Sequence, residues 1–409
     1  MFNKNILVVL PYTKIFPPEN GGQLRCFYLI NELSKKFNVH VVLHQKIHEI
    51  NSNEADLKFD NSIRFYSSFK IKKSTGFNNI FLLSKLFNAI KYRIYVRNIF
   101  AGSADSNLLE YYSIINKLLV AIDFDYVLLE HLVSLNAQSL IRRKSPKSKI
   151  ILDAHNVDHE LMELEFMINS NLKPNKKLVN RTKKIESSLY KKIDFLLACS
   201  EIDKTKFEKL NNNKLKVFNI PNGVDTIHKP FIKDIPFSVD LIFCGALNTE
   251  ANYTGLYWFI NEIWPLIISQ NPNIHLNIIG SGMYSVDLKF LSSQKNINFI
   301  GRVKTVNEYY NKSRISIVPI LIGSGSRLKI LEAMSFGLPV VSTSKGAEGI
   351  ACKHMNDIFI ADSIEEFASS VIDLINDPNL YDFIRTNASL LVKKNYSWDA
   401  IGIKLRALL

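Results

Sequence analysis

Cysteine is scarce in this 409-residue chain: Cys26, Cys199, Cys244 and Cys352 stand far apart, with no CxxC spacing. That excludes a disulfide-stapled framework and a zinc ribbon, and it fits a reducing compartment. Long apolar runs are also missing. No stretch reaches the ~18 residues of a spanning helix, and the longest candidate, residues 80–100, is cut by Lys85, Lys91, Arg93 and Arg97. The apolar opening MFNKNILVVLP stops at Pro11 without a small-residue cleavage site, so it reads as a first buried strand and not as a signal peptide. The histidines have no metal spacing, and no acidic pair with Asp-x-Asp spacing is expected to hold a divalent ion. No metal site and no cofactor are therefore expected.

Acidic charge is absent from one long segment. Between Asp60 and Asp105 there is no Asp or Glu, while Arg64, Lys70, Lys72, Lys73, Lys85, Lys91, Arg93 and Arg97 lie among apolar and aromatic residues. Residues 1–225 hold 34 Lys and Arg against 22 Asp and Glu, whereas residues 226–409 hold 17 against 16, so the net charge of +13 sits almost wholly in the first half. A basic amphipathic segment at residues 64–97 suits an anionic membrane surface. The competing reading is a solvated basic helix docked on its own domain. Charge without a recognised binding motif gives no case for nucleic acid. The expected location is the cytoplasm, with peripheral attachment to the inner face of the cell membrane.

What is present is a strand–helix series, run through twice. NILVVLP, VHVVLH, YVLLEH, KIILDAHN, DFLLACS and KVFNIPNGVD are short Ile/Leu/Val-rich runs in the first half. DLIFCGALN, HLNIIGSG, INFIGRV, ISIVPI and PVVSTS repeat the pattern in the second, with a helix expected over 251–268. Continuous rather than alternating apolar runs indicate parallel strands covered on both faces. The fold class is thus α/β, as two doubly wound, Rossmann-like parallel-sheet domains facing a central cleft. The expected division is an N-terminal domain over 1–225, a Pro-punctuated linker over 226–238 and a second domain over 239–390. A C-terminal helix, 391–409, could pack back on the N-terminal domain.

One segment carries most of the chemistry: IGSGSRLKILEAMSFGLPVVSTSKGAEG, residues 322–349. Gly323, Ser324, Gly325 and Ser326 form a loop with little side-chain obstruction, feeding a helix whose N-terminus favours an anion. Arg327 offers two parallel hydrogen bonds to phosphate oxygens, and Lys329 a point charge. Glu332 would repel phosphate but suits the paired hydroxyls of a ribose. Phosphate donors and a ribose acceptor within one turn describe a nucleoside diphosphate. The competing reading pairs Lys329 with Glu332, three apart on one helix.

That segment resembles the donor-binding signature of the retaining glycosyltransferases of family 4, which have the GT-B fold, in a subgroup with the variant GxGxRLKxLEA. LDAHNV, LLACSE, IPNGVD, FCGALN, IIGSG and INFIGRV fall in the expected order along essentially the whole chain. The resemblance implies transfer of a sugar from a nucleotide-diphosphate sugar, with retained anomeric configuration, to a saccharide or lipid-linked acceptor. It also implies that the N-terminal domain, 1–225, binds the acceptor and that the C-terminal domain, 239–390, binds the nucleotide-sugar, with Glu332 on the ribose. The family's first motif glutamate falls on Ser324, and the Arg and Lys that many members carry after FCGALN are absent here. Arg327 and Lys329 are read as their substitutes.

Gly21 and Gly22, in a first loop, and Gly245 join the donor side. So do Gly301 and Arg302, which fall at the family's base-binding loop. Glu130 and His131 end a strand, where either could orient a sugar. His131 joins Arg327 and Lys329 as a catalytic candidate, against a structurally satisfied histidine. Asp153, His155 and Asn156 end the next strand, with His155 and Asn156 as acceptor-side candidates and local capping as the rival. Asn222-Gly223 reads as a turn. Bacterial surface-polysaccharide or lipopolysaccharide assembly is the expected setting. Two alternatives stand: a non-catalytic nucleotide-sugar-binding or assembly protein, and a nucleotide-sugar epimerase on the same fold.

Overall fold

A computed structural model describes residues 4–11, 15–18, 20–43, 58–67, 108–168, 175–226, 240–282, 294–323 and 328–409. The chain divides into two compact units, residues 1–220 with 402–409, and residues 221–401.

The first unit is built on seven strands: β1 Asn5–Val9, β2 Asn38–Leu43, β3 Arg64–Ser67, β4 Tyr126–Glu130, β5 Lys149–Ala154, β6 Phe195–Ala198 and β7 Lys216–Asn219. They lie in the order β3-β2-β1-β4-β5-β6-β7, and every pairing is parallel. Val8 pairs with Val41 on one side and Leu128 on the other. Ile6 through Leu10 are fully buried, which is why β1 has no polar alternation. Each such side chain contributes about 1.5–3 kcal/mol by leaving water. Residues 402–409 close this unit: Arg406 pairs with Glu32, Lys36 Nζ donates to the Arg406 carbonyl at 2.6 Å, and the Tyr126 hydroxyl donates to the Leu409 carbonyl.

The second unit has six parallel strands, β8 Leu241–Cys244, β9 Leu276–Ile279, β10 Ile297–Gly301, β11 Ile315–Val318, β12 Val340–Ser342 and β13 Phe359–Ile360. Their order is β10-β9-β8-β11-β12-β13. Both sheets reverse direction of growth beside their first strand, so each has a switch point where carboxyl ends of adjacent strands diverge. The helix expected over 251–268 runs from Glu250 to Gln270 and contains a π turn at Phe259–Ile263. Pro265 follows that turn. It has no N–H to give an i−4 carbonyl, and the widened turn absorbs the misfit.

Three expectations need correction. Gly21 and Gly22 are not a loop. They are the first residues of the Gly21–Ser34 helix, because the Asn20 side chain accepts the Gln23 N–H at 3.0 Å and starts the helix there. Asn222-Gly223 makes no turn. Val224 bridges in parallel to Ser397, and Gly223 packs against Trp398 and Ile401. Asp123 and Asp125 do have Asp-x-Asp spacing. They lie at the amino end of β4, where Asp125 accepts the Asn5 backbone N–H at 2.9 Å, away from the carboxyl edge of the sheet. Of the basic segment, Arg64 opens β3, and residues 68–97 lie outside the described residues. So do residues 227–238 of the expected linker. No helix among the described residues is long and apolar enough to cross a membrane.

Candidate functional site

In the second unit the loop after β8 is drawn close to the next strand. Gly245 N–H donates to the Ile279 carbonyl at 2.9 Å and Leu247 N–H to the Ser281 carbonyl at 2.8 Å. A Cβ on Gly280 would lie 1.8 Å from the Gly245 carbonyl oxygen, and one on Gly245 would lie 2.7 Å from Lys329 Nζ. Position 280 therefore needs glycine for close approach of backbone, whereas Gly245 faces only the movable tips of Lys329 and Asn252. Lys329, from the Leu328–Ser335 helix, reaches this loop. Its ammonium donates to Asn252 Oδ1 at 2.6 Å and lies 4.7 Å from the centre of the Phe243 ring. Asn252 Nδ2 in turn donates to the Ala246 carbonyl at 2.8 Å. The FCGALN loop has no lysine of its own, and one arrives from a helix further along the chain. Glu332, one turn beyond Lys329, lies near Cys244 and Tyr310. Burial chiefly, with the Glu332 charge adding, pushes the Cys244 thiol up to about 12. A positive charge, a glycine-lined loop and a carboxylate one helical turn away can hold a phosphate-bearing ligand.

In the first unit the carboxyl ends of β4 and β5 carry a buried ionic cluster. Arg25, on the Gly21–Ser34 helix, donates from Nε and Nη2 to the two oxygens of Asp153 at 2.8 and 2.7 Å, with both side chains fully buried. His155 Nε2 lies 3.1 Å from Glu130 Oε2 and 3.4 Å from Asp153 Oδ2. The Cys26 thiol donates to Glu130 Oε2 at 3.3 Å. Burial opposes the imidazolium of His155, but hydrogen bonds to Asp153 and Glu130 outweigh it and raise His155 to about 9. Burial would also raise Asp153, yet Arg25 holds its carboxyl well below the usual range. Burial, helped by Asp153, raises Glu130. The capping alternative fails for Asp153, whose carboxylate is consumed by Arg25.

His131 follows β4 with φ 61°, a left-handed conformation unusual for a residue with a Cβ. Its ring centre is 3.7 Å from that of His155, at 40°. Burial first and His155 second depress His131 well below the ordinary histidine value. A small pocket beside these rings is lined by His131, His155, Asn156, Asp158 and Glu186. Burial, then the Glu186 charge, pushes Asp158 up to about 7. Cys26, Glu130 and His155 bring three donor atoms within 4.8 Å of one another. Two of those atoms, Cys26 Sγ and His155 Nε2, already hydrogen-bond to the third, and Arg25 and His155 balance the charges of Asp153 and Glu130. These donor atoms are thus engaged with one another, while Glu130 Oε1 is buried without a hydrogen-bond partner.

Comparison with known proteins sets these two units in context. Residues 238–377 match the family model described as glycosyl transferases group 1. Across 99% of the chain the structure superposes on 98% of sucrose-phosphate synthase from Thermosynechococcus elongatus, with a TM-score of 0.69 at 12% identity. It also superposes on Anabaena HepE in complex with UDP and glucose, with a TM-score of 0.64, 12% identity and 99% of each chain covered. The fold is GT-B. Among curated relatives, an uncharacterized protein of the cps region of Klebsiella pneumoniae is 31% identical over 187 residues, 43% of this chain and 48% of its own. An uncharacterized glycosyltransferase of Haemophilus influenzae is 31% identical over 217 residues, 51% of this chain and 59% of its own. The chain thus spans about half the length of the curated relatives it matches.

Within the GT-B fold the expected residues fall into two groups. Gly245, Lys329 and Glu332 come together in the second unit, with Gly323 at the end of the described loop. Gly301 closes β10, its carbonyl accepting the Gly280 N–H at 3.0 Å, and Arg302 follows it, exposed. Ser324, Gly325, Ser326 and Arg327 lie outside the described residues. Glu130, His131, His155 and Asn156 come together in the first unit, and Gly21 and Gly22 open the helix that supplies Arg25 and Cys26. Arg25, Asn252, Asp158 and Glu186 escape a reading of the sequence. Arg25 and Asn252 have no local signature, because each is defined by a partner 128 and 77 positions away. Asp158 had a weak signal in HNVD, directly after the strand end.

Proposed function

We propose that this chain is a retaining glycosyltransferase. It moves a sugar from a nucleotide-diphosphate sugar to a saccharide or lipid-linked acceptor, in bacterial surface-polysaccharide assembly. The observation that carries the proposal is the placement of Lys329 under the Gly245 loop by Asn252, inside the segment that matches group 1 glycosyl transferases. HepE, with a similar fold, holds UDP and glucose, and the Klebsiella relative belongs to a cps region. Both are consistent with this reading. In it, Lys329 and Arg327 stabilise charge growing on the departing diphosphate, Glu332 takes the ribose hydroxyls, and Ser324 lies near the donor sugar. The first unit presents His131, His155 and Asn156 to the acceptor or the transferred sugar. Fixed cations aimed at a leaving group act most strongly in the transition state, so the reaction needs no divalent ion. The leaving phosphate oxygen accepts the acceptor's proton on the same face, which preserves anomeric configuration. The basic segment 64–97 brings the enzyme to an anionic membrane where a lipid-linked acceptor resides.

The decisive experiment mixes the purified chain with uridine and guanosine diphosphate sugars and lipid-linked saccharide acceptors, with and without EDTA, and analyses products. A glycosylated acceptor with retained configuration and EDTA-resistant turnover is expected. Nucleotide-sugar binding without product would favour the non-catalytic reading, and an altered free nucleotide-sugar the epimerase. Arg327→Ala is expected to lower turnover about 10²–10³-fold with a smaller effect on donor affinity.

A further inference from the structure

The first-unit cluster contains more buried ionic structure than a sugar-binding wall requires. Two carboxylates clamp one histidine, and that histidine lies against a second histidine on the pocket. The clamp is itself anchored. Arg25 fixes Asp153 through two hydrogen bonds, and the Asp153 carbonyl accepts the His131 N–H at 3.0 Å. His131 is thereby held by its backbone, with φ 61°, and by its ring, 3.7 Å from His155.

We propose that His155 is a positioning residue: clamped by Glu130 and Asp153, it fixes the angle of the His131 ring on the pocket wall and sets its own charge beside that ring, which suits His131 to a sugar hydroxyl. The proposal rests on the glycosyltransferase reading only for the identity of the ligand.

The groups that face the two rings act on His131 in opposite senses. From the Gly21–Ser34 helix come the cation Arg25 and the neutral thiol of Cys26, which burial pushes well above its usual range. From β4 and β5 come Glu130 and Asp153, both turned to His155. Beyond the end of β6, Cys199 is buried and raised to about 12, so it adds no charge. On the pocket side, Asp158 and Glu186 lie at the amino end of one helix and the carboxyl end of another. Glu186 gives its oxygens to the Asp158 N–H and to His159. A proton on His131 would thus meet burial first and the His155 charge second, with Arg25 adding to both and Asp153 opposing them in part.

The test is a ring-nitrogen NMR titration of the full chain with labelled histidine, which requires no ligand. His131→Asn and His155→Gln, each removing one signal, assign the resonances. In the wild type His155 is expected to stay doubly protonated from pH 6 to 8 and to titrate near pH 9, while His131 stays neutral over the whole interval. In His155→Gln, His131 is expected to titrate at higher pH than in the wild type, because the neighbouring charge is gone while burial remains. Turnover in that variant should then fall about tenfold per pH unit below the new value, with donor KM little changed. The proposal is overturned if wild-type His131 titrates normally, an outcome readable even if the variant does not fold. It is also overturned if folded His155→Gln leaves the His131 nitrogens unmoved. A neutral His131 in a chain that transfers no sugar would sink the glycosyltransferase reading and leave the positioning role standing.

Discussion

Asp153 is the residue on which the first unit's polar cluster turns. Its carboxylate satisfies a fully buried guanidinium and shares a histidine with Glu130. Removing one partner of such a pair strands a charge away from water. Asp153→Asn is therefore expected to cost about 3–5 kcal/mol, read as a lower denaturant midpoint at unchanged slope. The titrating neighbours give stability a definite pH dependence. His155, raised to about 9, contributes stability fully present below the ordinary histidine value of about 6.5 and lost as pH rises through 9. Asp158, raised to about 7, binds a proton more tightly folded than unfolded, so stability also declines from about pH 4 up to 7. Asp158→Asn should therefore be more stable than the wild type at pH 8, the difference closing as pH falls from 7 towards 4. His155→Gln should show the opposite sign, destabilised at pH 6 and much less so at pH 10. Melting temperatures across pH 4–10 for the two variants check both signs; parallel curves would refute them.

At the scale of elements, most of the framework was legible because parallel strands buried on both faces announce themselves as Ile/Leu/Val runs. β1, β2, β4 and β5 begin within a residue of where those runs begin. β13, only Phe359–Ile360, was invisible, since two residues set no period. The early start of the Gly21–Ser34 helix was missed because two glycines read as a loop until Asn20 is seen capping them. The donor-side loop was legible as glycine spacing, and Lys329 as the substitute for the lysine that loop lacks; Asn252, which seats the ammonium, was not, because the two meet only through the packing of the Leu328–Ser335 helix. The loop separates two kinds of close contact. A Cβ at Gly280 meets the Gly245 backbone carbonyl at 1.8 Å, which cannot yield without moving the loop. Gly280→Ala should destabilise the second unit by about 1–3 kcal/mol, on the scale of overpacking. A Cβ at Gly245 meets the tips of Lys329 and Asn252, which can swing aside. Gly245→Ala should stay within about 1 kcal/mol of wild type yet weaken nucleotide binding severalfold, because it displaces the ammonium. Denaturation and nucleotide titration on both variants check the contrast, and equal stability losses would contradict it.

For the whole molecule, charge and core are partitioned. Nearly all of the net +13 lies before residue 226, while each unit encloses its own buried apolar cluster. One is centred on β1, β4, β5 and β6, and the others are built around β8, β11 and β12. A chain with separate cores need not open as one body. A ligand stabilises only the unit whose folded form binds it. At 100 times its dissociation constant that amounts to about 2.7 kcal/mol, or roughly 100-fold slower exchange of amides that open with the unit. If the donor site is the Gly245–Lys329–Glu332 constellation, a uridine or guanosine diphosphate should slow exchange in β8, β9 and β11. Strands β1, β4 and β5, which carry the His131–His155 cluster, should exchange as before. Adding a sugar to the diphosphate should then extend protection to His131 and Asn156 only if the transferred sugar reaches the first unit. Hydrogen exchange with the bare nucleotide and with its sugar separates these cases. Equal slowing in both sheets with the bare nucleotide would show that the units open together. Slowing confined to the first sheet would place the nucleotide on the unit that carries the histidines, and would remove Lys329 and Glu332 from the donor site.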